Sequence, residues 1–210
     1  MDTLEISLDG YTDLPPGKIA NVVTYFEMFA LPPPVAEPER SDLVFGRIPH
    51  PDTAWYRATI RTIGEAWLWF SPLVMKEAQL LARLRDPLIE VHALERGGET
   101  VGIAELDRHV EGEVEISFFG VAPSEIGTGA ARLLMNRTLA AAFREGPDRV
   151  WLHTCTFDHP AAVRFYLRSG FRPFKFAIEV IDDPRLSGVF PETAAPHVAL
   201  VRPPPDRRRR

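Results

Sequence analysis

Two glycines stand where a predicted β-strand gives way to a predicted helix. The stretch VAPSEIGTGAARLL, residues 121–134, places Gly127 and Gly129 on either side of Thr128. The first N–H groups of a helix have no acceptor within the helix, and the helix dipole favours negative charge beside them. Because glycine has no Cβ, the backbone there can approach a phosphate closely. The pattern indicates either a phosphate or pyrophosphate site, or a tight turn that brings the helix close to the sheet.

Two familiar phosphate motifs do not describe this stretch. The chain has no G-x-x-x-x-G-K-[S/T] sequence, which excludes a P-loop. A dinucleotide fingerprint would need a third glycine where Arg132 stands, and it would directly follow the first strand of its βαβ unit. Here the loop APSEI intervenes, and several predicted strands come earlier in the chain.

The stretch resembles motif A of the GNAT superfamily of acyl-CoA-dependent N-acyltransferases, V-x-P-x-x-[Q/R]-G-x-G-x-[G/A]-x-x-L-L. The positions in register are Val121, Pro123, Gly127, Gly129, Ala131 and Leu134. Ile126 stands at the Q/R position and departs from the pattern. A second family pattern, A-x-x-[F/L]-Y-x-x-x-G-F, resembles AVRFYLRSGF, with matches at Ala162, Phe165, Tyr166, Gly170 and Phe171. The resemblance extends over about the C-terminal two-thirds of the chain.

The resemblance implies that acetyl-CoA is the co-substrate. It places the pyrophosphate of coenzyme A on backbone N–H groups between Ile126 and Ala131, where Ile126 offers its N–H but no side-chain donor. His159 stands where the family often has an asparagine. The cofactor-binding residues that the resemblance implies are Val121, Ile126, Gly127, Thr128, Gly129, Ala130, Ala131 and His159.

Acyl transfer from a thioester to an amine requires that an ammonium, with a pKa of ~10.4 for a lysine-like amine, lose its proton. Glu115 is the predicted base, since it lies in an apolar strand that leads into the glycine loop, where an unused carboxylate would be costly. GNAT enzymes often carry a glutamate here, commonly acting through water. The alternative is a surface carboxylate on a half-exposed strand. Strand alternation predicts two faces, Glu115, Ser117 and Phe119 on one and Val114, Ile116 and Phe118 on the other.

Tyr166 is the predicted acid, because the resemblance implies that this tyrosine points at the sulfur of coenzyme A, whose thiolate must leave. The alternative is a tyrosine buried on the core face of its helix. Both catalytic predictions, Glu115 and Tyr166, favour an enzyme over a protein that only binds acyl-CoA.

The stretch HTCTFDH contains residue types that bind metals. His153 and Cys155 share one strand face and Asp158 and His159 follow, but the spacing fits no standard zinc pattern and Cys155 is the chain's one thiol. We therefore expect no metal site, and His153 and His159 remain candidates for a pocket base or for substrate contacts. In the N-terminal part, Glu27 is a candidate partner for the acceptor's ammonium.

The periodicity of the apolar residues predicts the elements that carry these groups. It indicates a strand at 20–30, a helix at 53–70 that Gly64 divides, and a second helix from Pro72 to Arg85. A hairpin around Gly97 and Gly98 follows, and then strand, helix, strand, helix and two strands, the last of them PHVALV. This order predicts an α/β (α+β) fold with a GNAT-like mixed, mostly antiparallel central sheet flanked by helices.

The predicted organisation is a single GNAT acetyltransferase domain at 1–202. Within it, residues 1–87 supply an acceptor-side strand and helices, and residues 88–180 form the coenzyme A-binding core. The proline-rich stretch 31–40 is predicted to be a stiff loop. Residues 203–210 are predicted to be a disordered basic tail, because the last five residues include four arginines.

Composition limits the classes of partner. The chain of 210 residues has a formal net charge of −5 even with its basic tail, so nucleic acid is not expected as a ligand. Acidic residues at the N-terminus, the lack of an 18-residue apolar run and a single cysteine predict a cytoplasmic protein without a membrane anchor. A homodimer is compatible with the sequence.

Two functions follow for the body of the chain as hypotheses, beside a third in which the arginine tail interacts with a ribosomal or nucleic-acid target. The first is an N-acetyltransferase that transfers an acetyl or acyl group from acetyl-CoA to a primary amine of a small molecule or peptide, by direct attack. The alternative is a non-catalytic acyl-CoA-binding regulatory module. The presence of both Glu115 and Tyr166 favours the first hypothesis.

Overall fold

The structure is a computed structural model that describes residues 4–204. One seven-stranded sheet forms its centre. The strands are β1 (Lys18–Met28), β2 (Leu43–Arg47), β3 (Ile89–Arg96), β4 (Glu99–Asp107), β5 (Glu113–Val121), β6 (Arg149–Cys155) and β7 (Arg172–Asp182). The helices are α1 (Thr53–Gly64), α2 (Ser71–Val74), α3 (Glu77–Arg85), α4 (Ala130–Ala142) and α5 (Ala162–Arg168).

The strand order across the sheet is β2-β3-β4-β5-β6-β1-β7. Every neighbouring pair is antiparallel except β5 and β6, which run parallel. The predicted mixed, mostly antiparallel sheet flanked by helices is therefore confirmed. The predicted hairpin at Gly97 and Gly98 joins β3 to β4, and both glycines have the positive φ that such a two-residue turn requires.

The parallel pair β5 and β6 is in contact over only three residue pairs, from Glu113 opposite Arg149 to Glu115 opposite Trp151. Both strands continue beyond this point, β5 to Val121 and β6 to Cys155. They must separate because the pairing ends while the strands do not. The separation opens the centre of the sheet at the residue predicted to be the base.

The N-terminal strand β1 completes the C-terminal half of the sheet. It lies between β6 and β7 and pairs with both, for example with Val23 opposite Cys155 on one side and Ala177 on the other. The inward residue Phe26 is fully buried in the core beneath α4 and α5. Strands β6 and β7 are therefore joined through a strand that precedes them by more than 100 residues.

A β-bulge at Ser117 interrupts the side-chain alternation of β5. The register with β4 shifts by one residue there, from Ile116 opposite Leu106 to Phe118 opposite Glu105. Phe119 consequently joins Val114 and Ile116 on the face that α4 and α5 cover, whereas Phe118 packs with the residues of α1. The predicted faces were wrong for Phe118 and Phe119, because simple alternation assumes an unbroken ladder.

Helices cover both faces of the sheet. Helices α4 and α5 bury Met135, Leu139 and Tyr166 against one face. Helices α1 and α3 bury Tyr56, Ile60 and Leu80 against β3 and β4 on the other. Among the residues that are described, no helix is both long and apolar enough to cross a membrane.

The predicted helix from Pro72 to Arg85 is broken in two. Helix α2 is a single turn, and Met75 and Lys76 adopt extended backbone conformations before α3 begins. The guanidinium of Arg57, on α1, donates hydrogen bonds to the carbonyls of Leu73 (3.3 Å) and Met75 (2.7 Å). Those carbonyls bind a side chain from another helix, which the local sequence does not reveal.

The predicted strand PHVALV does not form. The carbonyls of Val198 (2.7 Å) and Ala199 (3.3 Å) instead accept hydrogen bonds from the buried guanidinium of Arg185, which Asp183 neutralises. A further difference is β2, a short strand that pairs with β3 and was not predicted. Of the predicted tail, residues 203 and 204 have no regular structure, and residues 205–210 lie outside the described residues.

Candidate active site

A cavity of about 610 Å³ occupies the opening between β5 and β6. Its walls come from β5, β6, the loop after α1, the glycine loop and α5. The predicted site residues that line it are Glu115, Val121, Ile126, Gly127, Ala131, His159 and Tyr166. Thr128, Gly129 and Ala130 do not line the cavity but belong to the same loop and to the start of α4.

The glycine loop presents unpaired N–H groups at the start of α4. Within the described part of the chain, the backbone N–H groups of Gly127, Gly129 and Ala131 have no acceptor. Gly127 (φ 81°) and Gly129 (φ 90°) both adopt the left-handed conformation that other residues avoid, and a Cβ on Gly127 would meet open space. These three donors at a helix N-terminus fit the pyrophosphate of coenzyme A.

A buried carboxylate holds this loop in place. Glu125 has no exposed surface, and its carboxylate accepts hydrogen bonds from Arg40 (3.2 Å), from Arg96 and from Thr128 Oγ1 (2.9 Å). Arg40 also donates to the carbonyl of Thr128 at 3.3 Å. Sequence reasoning missed Glu125, because its partners lie on distant elements and no local pattern marks a buried acid in a polar loop.

The proline-rich stretch 31–40 crosses the outside of the same loop, and we call it the strap. A Cβ added to Gly129 would lie 2.2 Å from Cγ of Pro38, so the strap packs directly on that glycine. Asn136 of α4 donates hydrogen bonds to the carbonyl of Val35 (2.8 Å) and to the carboxylate of Glu37 (2.6 Å). Gly129 therefore has to be a glycine both for its backbone conformation and for contact with the strap.

Glu115 stands where β5 and β6 begin to separate. Its side chain is 24 % exposed, and Oε1 lies 3.6 Å from Nδ1 of His153 on β6. The His153 ring is 44 % exposed and packs against Tyr25 with a centroid separation of 5.4 Å. A carboxylate and an imidazole thus share one wall of the cavity, and either could accept a proton from a bound amine.

A buried polar network lies next to Glu115. Glu105 has no exposed surface and accepts hydrogen bonds from Tyr56 Oη (2.6 Å), Arg83 Nη2 (2.6 Å) and Ser117 Oγ (2.8 Å). Burial, reinforced by the charge of Glu105, raises the pKa of Tyr56 well above its usual value, so the phenol stays protonated. Arg83 and Ser117 reach the cavity wall, and the bulge aims Ser117 at this network.

Tyr166 is at once a core residue and a wall of the cavity. Its ring packs edge-on against Phe119, Phe165 and Phe171 at 5.7–6.2 Å between centroids. Burial raises its pKa well above the ordinary value, and the negative charge of Asp158 raises it further. The phenol therefore keeps its proton at physiological pH, and the residue is both packed in the core and part of the cavity wall.

The HTCTFDH stretch forms a structural turn and part of the wall. Asp158 accepts hydrogen bonds from Trp69 Nε1 (3.1 Å), Thr154 Oγ1 (2.6 Å) and the Cys155 N–H (2.9 Å). Burial, with the charge of Asp158 adding to it, raises the pKa of Cys155 to about 12, so its thiol is a poor nucleophile. His159 lines the cavity, and its Nδ1 accepts the Ala161 N–H at 3.0 Å.

Glu27 and the residue types that bind metals were the remaining candidates for contacts in the site. Glu27 does not line the cavity, and its carboxylate pairs with Arg149 (3.0 Å) and Arg172 (3.3 Å). Its predicted contact with the acceptor's ammonium was therefore wrong. In the region from residue 4 to residue 204, no group of three or more His, Cys, Asp or Glu side chains is placed to hold a metal ion.

Comparisons with known proteins identify the family of the chain. The sequence profile of the Acetyltransferase (GNAT) family matches residues 54–171, which is more than half of the chain. The chain is also 36 % identical over 98 residues to an uncharacterized N-acetyltransferase of Mycobacterium tuberculosis and to one of Mycobacterium bovis. Those matches span 47 % of this chain and 62 % of each relative.

Solved structures share the fold at low sequence identity. A GCN5-related N-acetyltransferase from Sphaerobacter thermophilus superposes with a TM-score of 0.58 at 20 % identity, over 80 % of this chain and 52 % of that one. An aminoglycoside acetyltransferase from an uncultured soil metagenomic sample, in complex with trehalose, superposes with a TM-score of 0.51 at 19 % identity, over 61 % of this chain and 87 % of that one.

An open mixed sheet with a glycine loop beside its separated parallel strands defines the class of protein. The chain belongs to the GNAT acetyltransferase family.

Proposed function

We propose that this protein transfers an acetyl group from acetyl-CoA to a primary amine of a small molecule or peptide. The observation that carries the proposal is that one cavity joins the loop with unpaired N–H groups to Glu115 and Tyr166. Such a transfer requires N–H groups that bind the phosphates of the acyl donor, a base that accepts a proton from the amine, and a phenol that can donate a hydrogen bond. Family membership and relatives named as N-acetyltransferases support it.

The loop binds the donor in this proposal. The N–H groups of Gly127, Gly129 and Ala131 hold the pyrophosphate, and the opening between β5 and β6 leads from the loop to Glu115. Acetyl-CoA supplies the acyl thioester that an amine attacks. Beyond Glu115, β5 has no partner strand on its β6 side, so alternate N–H groups of the strand face the opening and can hold the carbonyl oxygen of a bound acyl group.

Glu115 and Tyr166 handle the protons. The Glu115 carboxylate accepts a proton from the amine, directly or through water, and the adjacent exposed His153 offers a route to solvent. Tyr166 holds its proton on Oη, and its raised pKa makes it a hydrogen-bond donor that does not have to give the proton up completely.

The acceptor side of the cavity combines aromatic and acidic groups. Trp67, Trp69, Phe70 and Phe157 contribute apolar walls, and the carboxylates of the wall are Asp107, Glu115, Asp158 and Glu179. Among the described residues, these four carboxylates outnumber the one arginine of the cavity wall, Arg83, and such a wall suits an amine that carries positive charge.

The test is an acceptor screen with acetyl-CoA that follows the release of free thiol. The panel contains polyamines, aminoglycosides, arylalkylamines and peptides with free N-termini, and the control omits the acceptor. We expect turnover with at least one amine and an acetylated product detected by mass spectrometry. The alternative function, a regulatory module that binds acyl-CoA without turnover, predicts calorimetric binding of acetyl-CoA and no thiol release with any acceptor.

A further inference from the structure

Arg132, in the first turn of α4, reaches across to α5. Its Nη1 donates a hydrogen bond to Ser169 Oγ at 2.8 Å, and its guanidinium lies 4.4 Å from the centroid of the Phe165 ring. Phe165 is itself part of the cavity wall. Arg132 does not line the cavity itself, but its guanidinium is held against this wall residue, and Arg132 directly follows Ala131 of the glycine loop in sequence.

Arg132 is half-buried without a carboxylate partner among the described residues. Other partly buried arginines of this chain do have one, as in Arg40 with Glu125, Arg83 with Glu105, Arg108 with Glu90, Arg149 with Glu27, and Arg185 with Asp183. A partly buried cation without a counter-charge is unfavourable.

A second cation makes the site more positive. Arg168 of α5 directly precedes Ser169, the hydrogen-bond partner of Arg132. Burial lowers the pKa of Arg132, and the positive charge of Arg168 lowers it further. Glu37 of the strap acts in the opposite direction, but its carboxylate is already bonded to Asn136 (2.6 Å) and Arg137 (2.9 Å). Two cations in this arrangement call for an anion from outside the chain.

We propose that Arg132 and Arg168 bind a phosphate of coenzyme A, and that they replace the side-chain donor that Ile126 lacks at the glycine loop. This inference rests on the donor proposed above. Arg132 directly follows Ala131, whose N–H is one of the three unpaired donors, so loop and guanidinium can act on neighbouring oxygens of the same ligand. Arginine is suited to this task because its planar fork matches two phosphate oxygens.

The test is the calorimetric affinity of coenzyme A, which needs no acceptor and no turnover. The variants are Arg132→Gln, Arg168→Gln and Arg132→Lys, and the control is Arg85→Gln on α3, which covers the opposite face of the sheet. Loss of one charged contact to phosphate should weaken binding by about 10-fold or more for each glutamine variant. Arg132→Lys keeps the charge but loses the planar fork, so its affinity should fall between those of Arg132→Gln and the wild type, whereas Arg85→Gln should match the wild type.

A parallel titration with 3′-dephospho-coenzyme A separates the two sources of phosphate. If the glutamine variants also bind this ligand more weakly than the wild type does, the contact is to the pyrophosphate. If variants and wild type bind it equally, the contact is to the 3′-phosphate. Both results support the proposal. Thermal midpoints without ligand serve as the structural control. Because Arg168 is exposed, its glutamine variant keeps the test valid if Arg132→Gln folds poorly.

Affinities for coenzyme A equal to that of the wild type in both Arg132→Gln and Arg168→Gln would overturn the inference while leaving the proposed donor intact. A wild-type protein that does not bind coenzyme A at all would overturn the proposed donor itself.

Discussion

At the residue scale, Glu115 and Tyr166 occupy contrasting environments in one cavity. Glu115 is partly exposed beside an imidazole at the point where two strands separate. Tyr166 is enclosed by aromatic rings, and its phenol is held in the protonated form. In the proposed mechanism the two groups exchange protons in opposite directions, and such different surroundings allow each to keep its own protonation state at the same pH.

Replacement of Glu115 by glutamine should preserve the shape of the wall and remove its basicity. We expect kcat/KM for the amine to fall by a factor on the order of 10² at neutral pH, with unchanged affinity for coenzyme A. The deficit should shrink towards pH 10, where more of the acceptor is already deprotonated (pKa ~10.4). Glu113→Gln is the matched control, since Glu113 lies two residues earlier on β5 and pairs with Arg149 at 3.3 Å.

A deficit of the same size at every pH would mean that Glu115 positions the acceptor and does not deprotonate it. Full activity of Glu115→Gln would transfer the role of base to His153 or His159, the two histidines of the cavity wall.

Tyr166→Phe removes only the phenolic oxygen and keeps the ring in its aromatic surroundings. If Oη donates a hydrogen bond to the departing thiolate, kcat should fall by a factor between about 10 and 10², with little change in affinity for acetyl-CoA. Steady-state kinetics and calorimetry measure the two effects separately. An unchanged kcat would leave Tyr166 as a packing residue.

At the element scale, the glycine loop is held between a buried ion cluster and the strap. The carboxylate of Glu125 accepts hydrogen bonds from Arg40 and Arg96, and Pro38 of the strap packs on Gly129. The conformation of the loop therefore depends on elements that are distant in sequence. A substitution at Gly129 is therefore expected to affect both the binding of coenzyme A and the packing of the strap.

Gly129→Val should abolish measurable binding of coenzyme A in calorimetry and also lower the thermal midpoint. The valine would take up a backbone conformation that it disfavours, and its Cβ would displace Pro38. Pro38→Ala is the companion variant, because it trims the strap and leaves Gly129 intact. Equal affinity in Gly129→Val and wild type would place the phosphate site elsewhere, and an equally large loss in Pro38→Ala would assign the effect to the strap.

At the scale of the whole molecule, the N-terminal strand is an integral part of the core. Strand β1 lies outside the part of the chain that the family profile matches, yet it joins β6 to β7. Phe26 has no exposed surface and packs with the residues that α4 and α5 cover. The stability of the site should therefore depend on residues remote from it in sequence.

Phe26→Ala should lower the free energy of unfolding by about 3–5 kcal/mol, because it removes a buried ring and leaves a cavity. Val22→Ala on the same strand should cost less than about 1 kcal/mol, since Val22 is 44 % exposed. Urea unfolding followed by circular dichroism measures both values. A small loss for Phe26→Ala would mean that β1 is not required for the folded core.

The sequence by itself determined the local parts of this protein. Changes of apolar period predicted α4, α5 and the β3–β4 hairpin, and glycine positions predicted the loop at the start of α4. These features depend on interactions between residues a few positions apart, so their signals are local. The position of an acid in an apolar strand predicted Glu115, and the resemblance to the GNAT superfamily supported it and added Tyr166; the fold brings both to one cavity. Their catalytic roles, the domain limits, the assembly and the cytoplasmic location stay predictions.

Only the tertiary structure decided how these parts combine. The strand order with β1 between β6 and β7, the bulge at Ser117, the partners of Glu125 and the course of the strap all depend on residues far apart in the chain. The segment near Val198 shows the physical reason. Its sequence has a strand-like pattern, but its carbonyls accept hydrogen bonds from Arg185, a buried cation that needs acceptors, and no strand forms. A local pattern indicates which side chains are buried. The hydrogen-bond partner of each buried polar group depends on which distant residues the fold brings beside it.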